Sequence, residues 1–302
     1  MAADKIKYNY GGQAVIEGVM IRGRTAVVTA VRRSGGEITT DVRPLHPMTT
    51  GRLRRLPLIR GVVVLIESMV IGIQSLMYSA SAAVEEEGEE IPAKALWLMV
   101  GVGAVLVVLL FFLAPLFLTN LLNQYMPNSI VFHIVEGVIR IIIFLAYLKL
   151  IGLMPDIKRV FTYHGAEHKT VNAYEAGMPM EVAAVRKYGT AHVRCGTSFL
   201  FLVLIIAIIV FAFIGRDIFW LMIVGRILLL PVIMALGYEV IYFGARHSRN
   251  WLMRALLWPG LFLQGMTTGE PDDSQIEVAI AAMTKAIEID QAEEEATAPA
   301  SA

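Results

Sequence analysis

Apolar and polar positions are interleaved at the start of the chain and then give way to long apolar runs. Residues 10–24 are glycine-punctuated and β-branched, while residues 25–33 and 37–43 are β-rich runs joined by Ser34-Gly35-Gly36. This pattern predicts a small antiparallel sheet. Residues 61–80 form an apolar stretch that carries Glu67, Ser68, Gln74 and Ser75. Further apolar runs at 95–118, 130–150, 198–214 and within 227–243 have the length a bilayer demands. Residues 251–263 read as an apolar interfacial segment broken by Pro259-Gly260. Asp272 or Asp273 then caps an amphipathic helix in which Ile276, Ala279, Ile280, Met283 and Ile287 recur at three- and four-residue steps. That helix needs a surface to cover. The acidic, alanine-rich residues 291–302 are expected to be disordered.

Composition fixes the solvent. With 302 residues, 56% hydrophobic, 17% charged and a mean hydropathy of +0.63, the chain reads as an integral membrane protein. A net charge of zero gives no argument for a nucleic-acid partner, and one cysteine excludes an internal disulfide. Residues 1–9 have lysines without an apolar core behind them, so no cleavable signal peptide is expected.

Charge placement orients the spans. Residues 151–197 hold Lys158, Arg159, Lys169, Arg186, Lys187 and Arg194, whereas 119–129 has no charged residue. The positive-inside rule puts the former in the cytoplasm, with both termini, and the latter outside. Were 61–80 to cross, the segment with Arg43, Arg52, Arg54, Arg55 and Arg60 would lie outside, so 61–80 is read as interfacial or re-entrant. The expected fold is a mainly α polytopic protein of the cell membrane. It has four transmembrane helices plus a non-crossing apolar helix, a small N-terminal antiparallel β element and a cytoplasmic motif-bearing region. The divisions expected are a cytoplasmic β-rich domain (1–56), an interfacial or re-entrant helix with an acidic linker (57–94), a first transmembrane pair (95–150), the motif region (151–197), a second pair (198–245), and an interfacial segment, amphipathic helix and tail (246–302).

Chemistry concentrates in one stretch, Tyr163-His164-Gly165-Ala166-Glu167-His168-Lys169, expected in a polar loop region between two pairs of apolar segments. On a helix His164 and His168 project from one face, one turn apart, so both imidazoles can share a metal ion. The order His-x-x-Glu-His is that of inverted zinc proteases, although Gly165 weakens any helix that would hold it. His192 and Cys195, three apart, supply a second pair of donors. Together they make a zinc set, with Glu167 beside it as a general base. Glu175, seven residues beyond His168, is about 10 Å further along a helix, too far for the same ion. Elsewhere, His133, Glu136 and Arg140 share a face of the second span and are expected to pair as a packing clamp. Glu239 lies at a depth from which it could approach a metal. Glu17, within an apolar run, must face water or find a partner.

Gly11-Gly12-Gln13-Ala14-Val15-Ile16-Glu17-Gly18-Val19-Met20, the 163–169 motif, Arg194-Cys195-Gly196-Thr197-Ser198 and Glu270-Pro271-Asp272-Asp273 together resemble the YqhQ family of bacterial membrane proteins, over residues 8–288. That family is of unknown function and is commonly labelled a predicted metal-dependent enzyme. The resemblance implies His164, Glu167, His168, His192, Cys195 and Glu17 as site residues. Two functions compete: a metal-dependent hydrolase with a cytoplasmic-side zinc site, and a non-enzymatic membrane scaffold or biogenesis factor whose cluster is structural and whose cytoplasmic face binds a protein partner. Ion transport is a third reading, with little polar lining in the spans to support it.

Overall fold

The computed structural model describes residues 10–45, 56–84, 92–214, 219–246 and 250–297. Residues 1–9, His46, Arg52, Arg54 and Arg55, on which some of the expectations above rest, lie outside them.

Strands β1 (Gly11–Val15), β2 (Gly18–Arg22), β3 (Ala26–Arg32) and β4 (Ile38–Pro44) form an antiparallel meander in that order. Val15 faces Gly18, Gly18 faces Val31 and Ala26 faces Pro44. Gly36, at φ +88°, supplies the left-handed residue of the β3–β4 turn. The inner strands are mostly apolar because both faces of the sheet are covered. Val19, Ile21, Val28 and Ala30 enter one core, whereas Val15, Met20, Val27 and Val31 enter another on the opposite face.

Helix α1 (Ile59–Val84) covers the second face. Three of its polar residues, Glu67, Ser75 and Ser79, are directed at the sheet, whereas Ser68 and Gln74 are exposed. Glu67 accepts from Arg22 at 2.8 Å, Ser75 and Thr29 hydroxyls share a bond of 3.0 Å, and the Ser79 hydroxyl accepts from Ile16 N at 3.3 Å. Ile66, Met69 and Val70 remain exposed.

Helix α2 (Ala93–Val108) runs through a π-turn (Leu109–Leu113) into α3 (Ala114–Leu121), and α4 (Ser129–Ile151) starts where Asn128 caps Val131 N at 2.9 Å. Then follow α5 (Pro155–Glu175), the single turn α6 (Val182–Val185), α7 (Gly196–Phe211), α8 (Phe219–Arg246), α9 (Trp251–Thr267) and α10 (Asp273–Thr297). Among the described residues, four helices are long and apolar enough to cross a membrane: Ile59–Ala83, Lys94–Leu121, Ser129–Ile151 and Met222–Gly244. The run at 198–214 yields the shorter helix α7, which closes at Ala212. Pro259 does not break α9: its missing N–H is tolerated inside a continuous helix, where the neighbouring Gly260 packs on Ser198 of α7.

The expected clamp at His133, Glu136 and Arg140 forms, and Arg226 of α8 completes it. Glu136 accepts from Arg140 at 2.6 Å and from both terminal nitrogens of Arg226 at 2.5 and 2.7 Å. The carbonyl of Ile214 can only accept, so His133 donates to it through Nε2 (3.1 Å) and presents Nδ1 to Arg226 (3.2 Å). Arg140 Nε reaches the carbonyl of Phe111 at 2.9 Å, within the π-turn, whose wider ring alters the local hydrogen-bond ladder.

Helix α10 finds its surface on the free face of the sheet and on α5, burying Ile276, Ala279 and Met283. Asp272 caps it, accepting from Gln275 N at 2.9 Å and the Ser274 hydroxyl at 2.6 Å. Burial would raise the Asp272 carboxyl, but these bonds outweigh it and hold the group below the usual carboxylate range. At the other end the Asp290 carboxylate accepts from Tyr10 Oη (2.9 Å), Arg24 N (2.8 Å), Thr25 N (3.1 Å) and the Thr25 hydroxyl (2.9 Å). Helical order therefore continues to Thr297, past residue 291 where disorder was expected, and residues 298–302 lie outside the described set.

Candidate metal centre

The 163–169 motif lies in the middle of α5, not in a loop. Pro155 at the first turn and Asp156 just after it start the helix. Tyr163, Glu167, His168 and Lys169 are all buried. Gly165 is explained by crowding: a Cβ there would lie 2.0 Å from the carbonyl oxygen of Gly269, so α5 and the α9–α10 connection touch backbone to backbone. Gly269 N in turn donates to Phe161 O at 2.8 Å. Lys169, also in the motif, donates to Arg186 O at 3.0 Å and pairs with Glu270 at 2.6 Å.

One turn apart, His164 and His168 have ring centroids 4.4 Å from each other. Cys195 caps the N-terminus of α7, which brings its sulfur 3.4 Å from His164 Nε2. Donor atoms of His164, His168 and Cys195 all lie within 4.8 Å of one another. Each imidazole is held from behind by a backbone carbonyl: Thr267 O is 2.9 Å from His164 Nδ1, and Thr190 O is 2.5 Å from His168 Nδ1. A carbonyl only accepts, so both Nδ1 atoms donate and both Nε2 lone pairs remain for a ligand. That second-layer hydrogen bond is the usual companion of a metal-bound histidine. Bonds of about 2.1–2.3 Å in a zinc tetrahedron put donors roughly 3.5 Å apart, within reach of small side-chain rotations here.

Glu167 lies alongside, its Oε2 3.5 Å from His168 Nε2. His192 takes a different position. Its backbone N–H donates to Gln264 Oε1 at 2.8 Å, Gln264 returns a bond to His192 O at 2.8 Å, and His192 Nε2 sits 3.5 Å from Glu175. It therefore stands beside the trio, 5.8 Å from His168 between ring centroids, without joining it. Glu175 pairs with Arg194 as well as His192. Burial alone would raise its carboxyl, but the His192 bond and the Arg194 charge hold it below the usual range.

Two other sequence candidates lie elsewhere. Glu17, at φ 51° in the β1–β2 turn, pairs with Arg159 and accepts from Tyr163 Oη at 3.2 Å. Burial, then this carboxylate, raises the Tyr163 phenol, and the Glu17 hydrogen bond raises the Arg159 guanidinium. Glu239 does not approach the site, because Arg60 and Leu58 N engage its carboxylate.

Residues absent from the sequence reading complete the surroundings. Gln264 also donates to the Ser198 hydroxyl at 2.7 Å, fastening α9 to α7. His164 forms part of the wall of a cavity of about 650 Å3 between the sheet and the apolar helices. Only Arg226 had a signal, a charge abutting the apolar run at 227; Thr190 and Thr267 act through backbone carbonyls, which no side-chain pattern announces.

Among the described residues, the geometry defines a chain of apolar helices with one largely buried histidine–cysteine group beside a small sheet. It belongs to the family described as "Protein of unknown function (DUF1385)", whose model matches residues 56–289. It is similar to "Uncharacterized protein YqhQ" of Bacillus subtilis (strain 168), 32% identical over 99% of this chain and 98% of that protein. No solved structure matches significantly.

Proposed function

We propose that the chain is a membrane-embedded metal-dependent enzyme of the hydrolase type, with zinc held by His164, His168 and Cys195 on the cytoplasmic side. The observation that carries this reading is the pair of backbone carbonyls, Thr267 O and Thr190 O, that fix both imidazoles through Nδ1, with His164 Nε2 3.4 Å from the Cys195 sulfur. Two imidazoles and a soft thiolate suit zinc, and three protein donors leave a position open for chemistry. Zinc would supply Lewis-acid polarisation and make water acidic near neutral pH. Glu167, buried beside His168, would take the proton from attacking water. His192 would act on the site through Glu175 and Gln264 rather than as a donor.

The topology proposed keeps the motif region and both termini in the cytoplasm. Because α5 and α10 pack directly on the sheet, these three share one side, and an even number of crossings must separate each from the next. Helix α1, with Glu67, Ser75 and Ser79 turned to the sheet, is the one that lies along the surface. Basic residues on that side agree with the orientation.

A second reading is favoured by one feature, the way Cys195 and the carbonyl of Thr267 tie α5 to the start of α7 and the end of α9: a structural ion would staple three helices of a scaffold. Metal analysis of purified protein with a Glu167→Gln variant separates the two. The enzyme reading expects zinc retained, stability near normal and complementation of the deletion phenotype lost. A staple expects metal affinity reduced roughly 10- to 100-fold, as when a supporting partner is removed. Complete absence of bound metal, with His164→Ala as stable as the parent, overturns both.

A further inference from the structure

The cavity that reaches His164 is built from two chemically different walls. Its sheet side is Gly11, Gly12 and Gln13 of β1 with Arg22 of β2, and its helical side includes Ile71, Phe144, Leu148 and Leu200. At one end the first residues of α7, Gly196 and Thr197, line it together with Arg194 and Thr267. A volume of about 650 Å3 lies within the roughly 300–1,000 Å3 typical of small-ligand sites.

Polarity within it is one-sided. Arg22 and Arg194 line the cavity, while their partners Glu67 and Glu175 do not, and no carboxylate is among the described residues that line it. The N-terminus of the 16-residue helix α7 adds the positive end of a helix dipole. Independently, Thr267 lines the cavity, and its buried hydroxyl has no hydrogen-bond partner among the described residues, although its carbonyl is committed to His164. A buried hydroxyl without a partner is costly, and a ligand oxygen at this end would satisfy it. The apolar wall extends to the outside of the helices, since Leu200 is 45% exposed. A chain lying in the bilayer would reach the cavity there.

We propose that this cavity binds a single-chain amphiphile with an anionic head group, the head at the start of α7 beside His164 and the alkyl chain along Phe144, Leu148 and Leu200. This deepens the proposed function by naming its substrate class, and it rests on that reading only for turnover, not for binding.

The test reconstitutes full-length protein in phosphatidylcholine vesicles with lysophosphatidylglycerol carrying a diazirine in its chain, photolyses, and maps the labelled residues by peptide mass spectrometry, with zinc measured on the same preparation. The expected result is labelling at Leu200, Phe144 or Leu148, at least threefold above that by the matching lysophosphatidylcholine probe. Two variants block the space without altering a metal donor: Leu200→Trp on α7, and Gly11→Leu, whose added side chain meets open space. Either should cut cavity labelling at least fivefold, and Thr267→Val should reduce it about threefold. Labelling confined to outer faces such as α2, labelling unchanged by both blocking variants, or equal labelling by the choline probe overturns the proposal. Cavity labelling in protein without zinc upholds it while the metal reading fails. Bound zinc without cavity labelling does the reverse.

Discussion

Replacing Gly165 with alanine sets two physical effects against each other within the proposed site. Helix propensity favours the substitution by about 1 kcal/mol, since glycine in a helix interior is penalised by that amount. The structure opposes it: the new Cβ would lie 2.0 Å from Gly269 O. To reach even the shortest contacts that real Cβ atoms show, one backbone must retreat by about 1 Å, and neither is free to do so. Gly269 N is bonded to Phe161 O on α5, and Thr162 of the same helix packs against Gly269. Overpacking of a well-packed core costs about 1–3 kcal/mol, and a backbone-on-backbone clash belongs at the upper end, so Gly165→Ala should destabilise by about 1–2 kcal/mol net of its propensity gain. The same displacement would pull Thr267 O from His164 Nδ1, so bound metal should fall together with the unfolding midpoint. Thermal unfolding in detergent with metal content on the same sample measures both. A midpoint equal to or above the parent's, with metal unchanged, would refute the crowding argument.

Other perturbations follow from contacts already described. Asp290→Ala should destabilise by about 1–3 kcal/mol, because it removes the acceptor for the backbone N–H groups of Arg24 and Thr25 and one partner of Tyr10 Oη, and should free α10 to limited proteolysis; an intact α10 under protease would count against it. Glu136→Gln should cost about 3–5 kcal/mol, because Arg140 and Arg226 then share a buried site with no counter-charge; a midpoint within error of the parent's would show that the clamp is not needed. With its carboxyl held below the usual range, Glu175 contributes stability that is fully present above about pH 4.3 and is lost as pH falls through its lower folded value. A Glu175→Gln variant should therefore lack that part of the acid sensitivity between pH 5 and 3, and parallel curves for the two proteins would contradict this.

The sheet and α10 were legible because burial there follows simple periodicity: Ser34-Gly35-Gly36 marks the hairpin, and Ile276, Ala279 and Met283 mark the face that covers it. Helix α5 was not, although it is among the best-buried elements. Its interior positions include Glu167, His168, Lys169 and Thr170, each polar, so an apolar-period reading sees a hydrophilic loop. These groups are buried because they answer one another or the backbone: Lys169 to Glu270 and Arg186 O, Thr170 to Ala166 O at 2.8 Å. The long helix at Ile59–Val84 is the opposite case: its length and composition allow a crossing, whereas its polar residues Glu67, Ser75 and Ser79 are bonded to the sheet.

At the site itself, spacing fixed part of the donor set. The four-residue step from His164 to His168 determines their juxtaposition as soon as the segment is helical. The three-residue step from His192 to Cys195 determines much less, because it falls in a turn that leads into the first residue of α7. There the chain reverses, so Cys195 caps α7 toward His164, whereas His192, fastened through both its backbone groups to Gln264, faces Glu175. What orients the two retained imidazoles is invisible to any residue pattern. Thr190 and Thr267 contribute only their carbonyl oxygens, which every residue carries, and their location depends on where α9 ends and how the 178–195 segment returns. Substituting either side chain should therefore leave the imidazole bonds in place, whereas moving the backbone that holds them, as Gly165→Ala does, should not.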